Sequence, residues 1–239
     1  MCADRNPNPV VHLVGSIPLA DSETVFRTVA EGVGHHLPRL PDGETGTRIN
    51  WVRFIQEQLA NRPDMEVDPT ISPVKWTQWD GKLLREIHRL RFKLGTDLAK
   101  VTFETGYADM AIDSFAVFER LQNEGVIPKE TRFMICMATT LAPGYNYISP
   151  NARADFVPRF TDHLVDEVAK IAKAVPHDRL AVQWDVCQEV LMWENYYGEQ
   201  HSGWREEIFD VEKRLGEAVP AKAHLGYHLC YGSPADEHL

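Results

Sequence analysis

Short apolar or β-branched runs alternate along this chain with longer stretches whose apolar positions recur every three to four residues. The first kind reads as strand and the second as amphipathic helix. The pattern predicts strands over residues 10–14, 38–40, 100–103, 132–139, 180–187 and 223–230. It predicts helices over 22–36, 48–59, 81–94, 108–123, 151–174 and 204–218. Asp21 or Ser22 is placed to cap the first helix, and Gly125 to close the fourth. In the longest helix, Phe156, Phe160, Leu164, Val168 and Ile171 mark one face. Residues 61–80 carry Pro63, Pro69, Pro73 and two tryptophans, and read as an insertion or lid.

Strands that alternate with helices in this way imply parallel pairing through helical crossovers. The expected fold is therefore α/β, with ligands bound at the carboxyl ends of the strands. Six βα units are legible. An eight-stranded barrel at this spacing needs roughly 85 residues beyond the start of the sixth strand. Few residues follow that strand, so the expectation is one incomplete (β/α)8-type barrel domain over 1–239 that lacks the last two βα units. Open edges on its first and sixth strands invite pairing with another copy, as a homo-oligomer.

The 239 residues are 44% hydrophobic and 25% charged, which excludes low-complexity and wholly disordered readings. Lys+Arg 25 against Asp+Glu 35 gives a net charge of −10, which argues against nucleic-acid and anionic-membrane partners. No apolar run reaches membrane-spanning length, and the first residues do not resemble a signal peptide. The expected location is the cytoplasm. Cys2, Cys136, Cys187 and Cys230 are dispersed and make no C-x-x-C pair, so thiols rather than disulfides are expected. Dinucleotide, phosphate-loop, H-E-x-x-H and nucleophile-elbow motifs are absent.

The chemistry must then lie in scattered strand ends. His228-Leu229-Cys230 closes the sixth strand, and alternation puts His224, Gly226, His228 and Cys230 on one face. Imidazole and thiolate two residues apart suit zinc; the alternative is a buried cysteine beside a hydrogen-bonded histidine. On the fifth strand the same alternation joins Gln183, Asp185 and Cys187, where a carboxylate must be paired or used. Pro41-Asp42-Gly43-Glu44 forms an acid–glycine–acid turn before Arg48, read either as site residues or as a helix cap with a Glu44–Arg48 pair. Gly15 and Ser16 follow the first strand, where backbone amides suit a carboxylate. The aromatic stretch 193–204 reads as a substrate wall or as rim packing.

In this order the pieces resemble the catalytic C-terminal barrel of the cobalamin-independent methionine synthase family. Val14-Gly15-Ser16-Ile17-Pro18 is similar to its I-G-S-x-P. Gly43-Glu44 with Arg48, then Gln56-Glu57-Gln58-Leu59, is similar to its G-E-x-x-R segment, with one extra residue before the arginine. Gln183-Trp184-Asp185 resembles its Q-x-D strand, and His228-Leu229-Cys230-Tyr231 its H-x-C-Y zinc element. The resemblance implies a zinc-dependent methyltransferase in which a homocysteine-like thiol attacks a folate-like methyl donor. It implies His228 and Cys230 as zinc ligands. Gly15 and Ser16 would hold the amino acid's carboxylate; Glu44 and Asp185 would receive its ammonium, with Asp185 also in a catalytic role. The family's Asp-Glu-Pro is here Asp185-Val186-Cys187, and its glutamate and second cysteine ligands and catalytic histidine fall beyond this sequence. Asp185, Cys187, Glu189 and His224 are the candidates to complete the zinc set. The uroporphyrinogen decarboxylase superfamily shares the barrel without metal, so a metal-free lyase and a truncated, non-catalytic assembly partner are the alternatives.

Overall fold

The computed structural model describes residues 9–230 apart from 197 and 199. Its elements are α1 (Ser22–Val33), β1 (Arg39–Pro41), α2 (Arg53–Ala60), β2 (Met65–Val67), β3 (Val74–Thr77), β4 (Leu83–Ile87), β5 (Leu90–Phe92) and α3 (Tyr107–Asn123). There follow β6 (Arg132–Ala138), α4 (Leu141–Tyr147), α5 (Pro150–Ala174), β7 (Leu180–Val186), α6 (Gln188–Trp193), α7 (Trp204–Glu217) and β8 (His224–Leu229). β1, β6, β7 and β8 form, in that order, a four-stranded parallel sheet. Two antiparallel pairs, β2 with β5 and β3 with β4, stand apart from it. The fold is mixed α/β. No helix of the described residues is long and apolar enough to cross a membrane.

The sheet is built as a parallel sheet's sequence requires. β7 is buried along its whole length and β6 from Phe133 onward, because both faces are covered. One face carries Phe133, Ile135, Met137, Val182 and Trp184 into the main core. There Phe26 of α1 and Phe118 of α3 meet edge-on at 5.4 Å, and Phe118 meets Phe133 at 5.6 Å. The apolar stripe of α5, Phe156 to Ile171, buries into the same core. The other face has only a small apolar patch, Met134, Cys136 and Ala181; beyond it Gln183 and Asp185 continue toward the carboxyl ends. That face positions the site.

Helix ends follow local chemistry. Asp21 accepts the Thr24 N–H and starts α1. Gly125, at φ +79°, closes α3 by donating to the Gln122 carbonyl. α4 and α6, which directly follow β6 and β7, are too short for periodicity to reveal.

Two of the expected strands do not join the ladder. Residues 10–14 run extended beside β1, tied at 2.9 Å by Val11 N–H to the His36 carbonyl and by Ile17 N–H to that of Gly43. Main-chain bonds from Arg132 to Pro38 and from Asp42 to Met134 direct the even positions of β1 toward β6. Arg39 and Pro41 therefore face residues 10–14, and Pro41 has no N–H to offer a ladder. Residues 101–103 are irregular, after a 3-10 turn at Leu98–Lys100. There the Thr102 carbonyl accepts from Arg62, and Phe103 packs on Phe156 and Phe160 at 5.3 and 5.1 Å.

The helix expected over 81–94 is instead β4 and β5. Its apolar spacing fits a helix, but antiparallel pairing with β3 and β2 outweighs that local preference. Asp80-Gly81 makes the β3–β4 turn: Gly81 sits at φ +84°, and Asp80 accepts the Lys82 N–H at 2.9 Å. That dipeptide was the available signal for a hairpin. The helix expected over 48–59 is broken at Trp51 (φ +50°), which separates a 3-10 turn, Gly46–Asn50, from α2.

Candidate functional site

The carboxyl ends of the parallel strands open on a cavity of about 330 Å³. Ser16, Glu44, Asp185, Cys187, His228 and Cys230 line it, with Trp51, Trp76, Tyr147 and Leu191 among its apolar walls. The cavity therefore gathers side chains from the segment after residue 14, the turn after β1, and the ends of β7 and β8. Alternation along β7 and β8 explains the last group. Asp185 pairs in register with His228, and Gln183 with Gly226, so the side chains of Gln183, Asp185 and His228 share the inner face.

Gln183 joins the first segment to the sheet. Its amide nitrogen lies 2.8 Å from the Val14 carbonyl and 2.9 Å from Asp185 Oδ1, and its oxygen lies 3.0 Å from His12 Nε2. Asp185 Oδ1 also faces His228 Nδ1 at 3.3 Å. That hydrogen bond raises the His228 pKa above its ordinary value, against the opposing effect of partial burial.

Glu44 is buried at 5% exposure and sits at φ +48°, a backbone region non-glycine residues rarely occupy. Burial pushes its carboxyl up to about 7; the hydrogen bond from Ser16 Oγ opposes the rise, and the nearby charge of Asp185 adds to it. The Glu44–Arg48 pair of the alternative, helix-cap reading is not formed. Arg48 Nη2 binds Asp42 Oδ2 instead, in an ion pair with both partners buried. Asp42 Oδ1 also accepts the Glu44 N–H at 3.1 Å, so the pair holds the turn that carries Glu44.

Gly15 is placed by close approach. It sits at φ +136°, and a Cβ there would lie 2.9 Å from Glu44 Oε2 and 3.4 Å from Cys136 Sγ. Gly15→Ala is expected to lower stability by about 1–3 kcal/mol, through displacement of Glu44 and backbone strain. A urea unfolding midpoint unchanged from the native chain would contradict this.

Cys187 follows β7 and hydrogen-bonds through its thiol to Cys230; that bond and burial push its pKa well above the usual thiol range. Cys136, Cys187 and Cys230 are thiols, while Cys2 and Tyr231 lie outside the described residues. Among the described residues, no three His, Cys, Asp or Glu side chains are grouped as a metal site. The donors stand as two pairs, His228 with Asp185 and Cys230 with Cys187. Of the other candidates, Glu189 turns away to Thr139 and Glu212, and His224, at the start of β8, does not line the cavity.

The aromatic stretch after β7 is mostly rim packing. Trp193 meets Trp204 at 5.5 Å and Phe209 at 6.3 Å, and does not line the cavity; Tyr197 lies outside the described residues. Pattern reading missed Trp76, Arg85, Asn146 and Tyr147, which come from β3, β4 and α4. Only the Asp80-Gly81 turn hinted at the hairpin that brings Trp76 and Arg85 there. The Arg85 guanidinium stacks 4.0 Å from the Trp76 ring centroid. Comparison of the chain with protein-family models, curated proteins and solved structures finds no match.

Proposed function

We propose that the chain is a zinc-dependent methyltransferase-like enzyme that activates a small homocysteine-like thiol, on a (β/α)8-type barrel scaffold. The single observation that carries the reading is convergence. Ser16, Glu44, Asp185, His228 and Cys230, dispersed along the chain, line one cavity at the carboxyl ends of parallel strands.

Zinc is tested against the donors themselves. An imidazole and two thiols suit it in kind. Asp185 on Nδ1 of His228 is the kind of outer partner that a metal-binding histidine uses, and it leaves Nε2 as the ring atom that would bind the ion. His228 and Cys230 would hold the ion, with Cys187 the neighbouring third donor. Bound there, zinc supplies a Lewis acid that lowers the pKa of a substrate thiol. The protein's own groups do the rest. Asp185 orients His228, while Glu44 and Asp185 set a negative field for a substrate ammonium. Glu44, titrating about 7 and hydrogen-bonded by Ser16 Oγ, takes or gives a substrate proton near neutrality. The apolar walls limit water.

The test is metal content after purification. About one equivalent of zinc is expected, falling below a few tenths in Cys230→Ala. Zinc below that level in the native chain, unchanged by the substitution, overturns the reading. Methionine formation from homocysteine and a methylfolate tests the donor and acceptor.

The His228–Asp185 pair together with Glu44 also favours a second reading, a metal-free acid–base lyase or decarboxylase. Turnover that survives a strong chelator separates it from the first. An assembly role draws support from β8, whose outward residues Leu225, Tyr227 and Leu229 are 42%, 44% and 70% exposed at the margin of the described sheet. A monodisperse monomer in light scattering would remove that support.

A further inference from the structure

A second cavity, of about 410 Å³, adjoins the first; Trp76 and Asn146 line both. Its chemistry differs. Arg89, Arg153, Gln188 and His201 are among its walls, and among the described residues no carboxylate is.

Arg153 rises from α5 with its guanidinium 4.0 Å from the Tyr145 ring centroid. Its hydrogen bonds are long ones to main-chain carbonyls, 3.3 Å to Gly144 and 3.4 Å to Tyr145. Among the described residues it makes no ion pair. Glu207, whose charge acts on it, is engaged by Tyr145 Oη at 2.6 Å and His201 Nε2 at 3.2 Å. Burial, with the like charge of Arg89, brings the Arg153 pKa down to about 10. The Arg153 guanidinium, crowded by that like charge and held only by long main-chain bonds, suits an anion in the cavity.

Gln188 adds an independent observation. It is 1% exposed, and among the described residues neither its amide nitrogen nor its amide oxygen has a hydrogen-bond partner. Burying both atoms unpaired is costly, and such groups are rare unless something absent from the chain completes them. An oxyanion in the cavity would accept from the amide nitrogen as well as from the guanidinium groups.

We propose that this second cavity is a subsite for an oxyanion, carboxylate or phosphate, on a cosubstrate whose other end reaches the first cavity past Trp76 and Asn146. The subsite stands on its own geometry; its link to a cosubstrate rests on the reading of the first cavity as a small-molecule site.

The test titrates the full chain with inorganic phosphate and, separately, with glutarate by calorimetry at low ionic strength. Saturable one-to-one binding of at least one is expected, and which one binds identifies the oxyanion. Arg153→Met should weaken it by roughly tenfold or more, as loss of a charge-assisted bond does. Because Arg153 also packs on Tyr145, Gln188→Leu provides a second arm. It should weaken binding about threefold while melting higher than the native chain in plain buffer, since it removes unpaired buried polar atoms. Cys230→Ala should leave anion binding unchanged whatever it does to zinc, so the two readings fail separately. The proposal is overturned by no saturable binding of either probe or by native affinity in both Arg153→Met and Gln188→Leu. Weakening in Cys230→Ala equal to that in Arg153→Met overturns it too, since the anion then sits in the first cavity.

Discussion

Arg48→Leu will destabilise the protein by about 3–5 kcal/mol, because it leaves Asp42 charged and buried without its partner. Asp42 is 1% exposed and Arg48 3%, so water cannot replace the lost guanidinium. For a chain of this size the loss should lower the melting temperature by roughly 10 °C. The consequence reaches the site, since Asp42 also fixes the Glu44 N–H and hence the strained turn that aims Glu44 into the cavity. Adding Asp42→Asn to Arg48→Leu should recover part of the stability, because the uncompensated charge is the larger share of the penalty. A melting temperature within about 2 °C of native for Arg48→Leu alone would show that the pair is solvated or dispensable.

The second large effect is on pH dependence. Glu189, at the start of α6, and Glu212, in α7, face one another through their carboxyls, and Thr139 Oγ1 donates to Glu189. Burial pushes Glu189 to about 7; burial and the neighbouring charge of Glu189 push Glu212 to about 8. The folded state thus binds protons more tightly than the unfolded chain, whose glutamates titrate near 4.3. Stability from this pair is fully present below that value and is lost as pH rises through about 7 to 8. Between pH 5 and 8.5 the loss should be on the order of 5–7 kcal/mol, seen as a falling denaturant midpoint. Glu212→Gln should flatten the slope, because an amide donates to the remaining carboxylate without a shared proton. A profile equally steep in that variant would place the titration elsewhere, with Glu44 the next candidate, since burial raises it in the same direction.

Much of the site is legible because strands alternate. Once residues 180–186 and 224–229 are strands, the common face of Gln183 with Asp185, and of His228 with Cys230, follows from period two alone. The apolar stripe of α5 and the closing glycine of α3 are local in the same sense. Where pattern reading went wrong, a partner outside the element decided. Residues 83–92 have helical spacing, but 83–87 pair with β3 through the Asp80-Gly81 hairpin and 90–92 with the more distant β2. Residues 10–14 have strand composition but lie beside Pro41, which cannot complete their ladder. Arg48 reaches Asp42 rather than Glu44 because the turn through Gly43 and Glu44 folds back on itself.

Composition and periodicity by themselves determined an acidic chain of alternating strands and helices and the common faces of Gln183 with Asp185 and of His228 with Cys230, because each depends on neighbours within a few residues. Only the tertiary structure decided that Glu44 is buried beside Ser16, that Cys187 meets Cys230, that Trp76 and Arg85 close the cavity, and that Arg153 and Gln188 frame a second one. Those facts depend on burial and on contacts between distant segments, and no local pattern encodes the free energy of either.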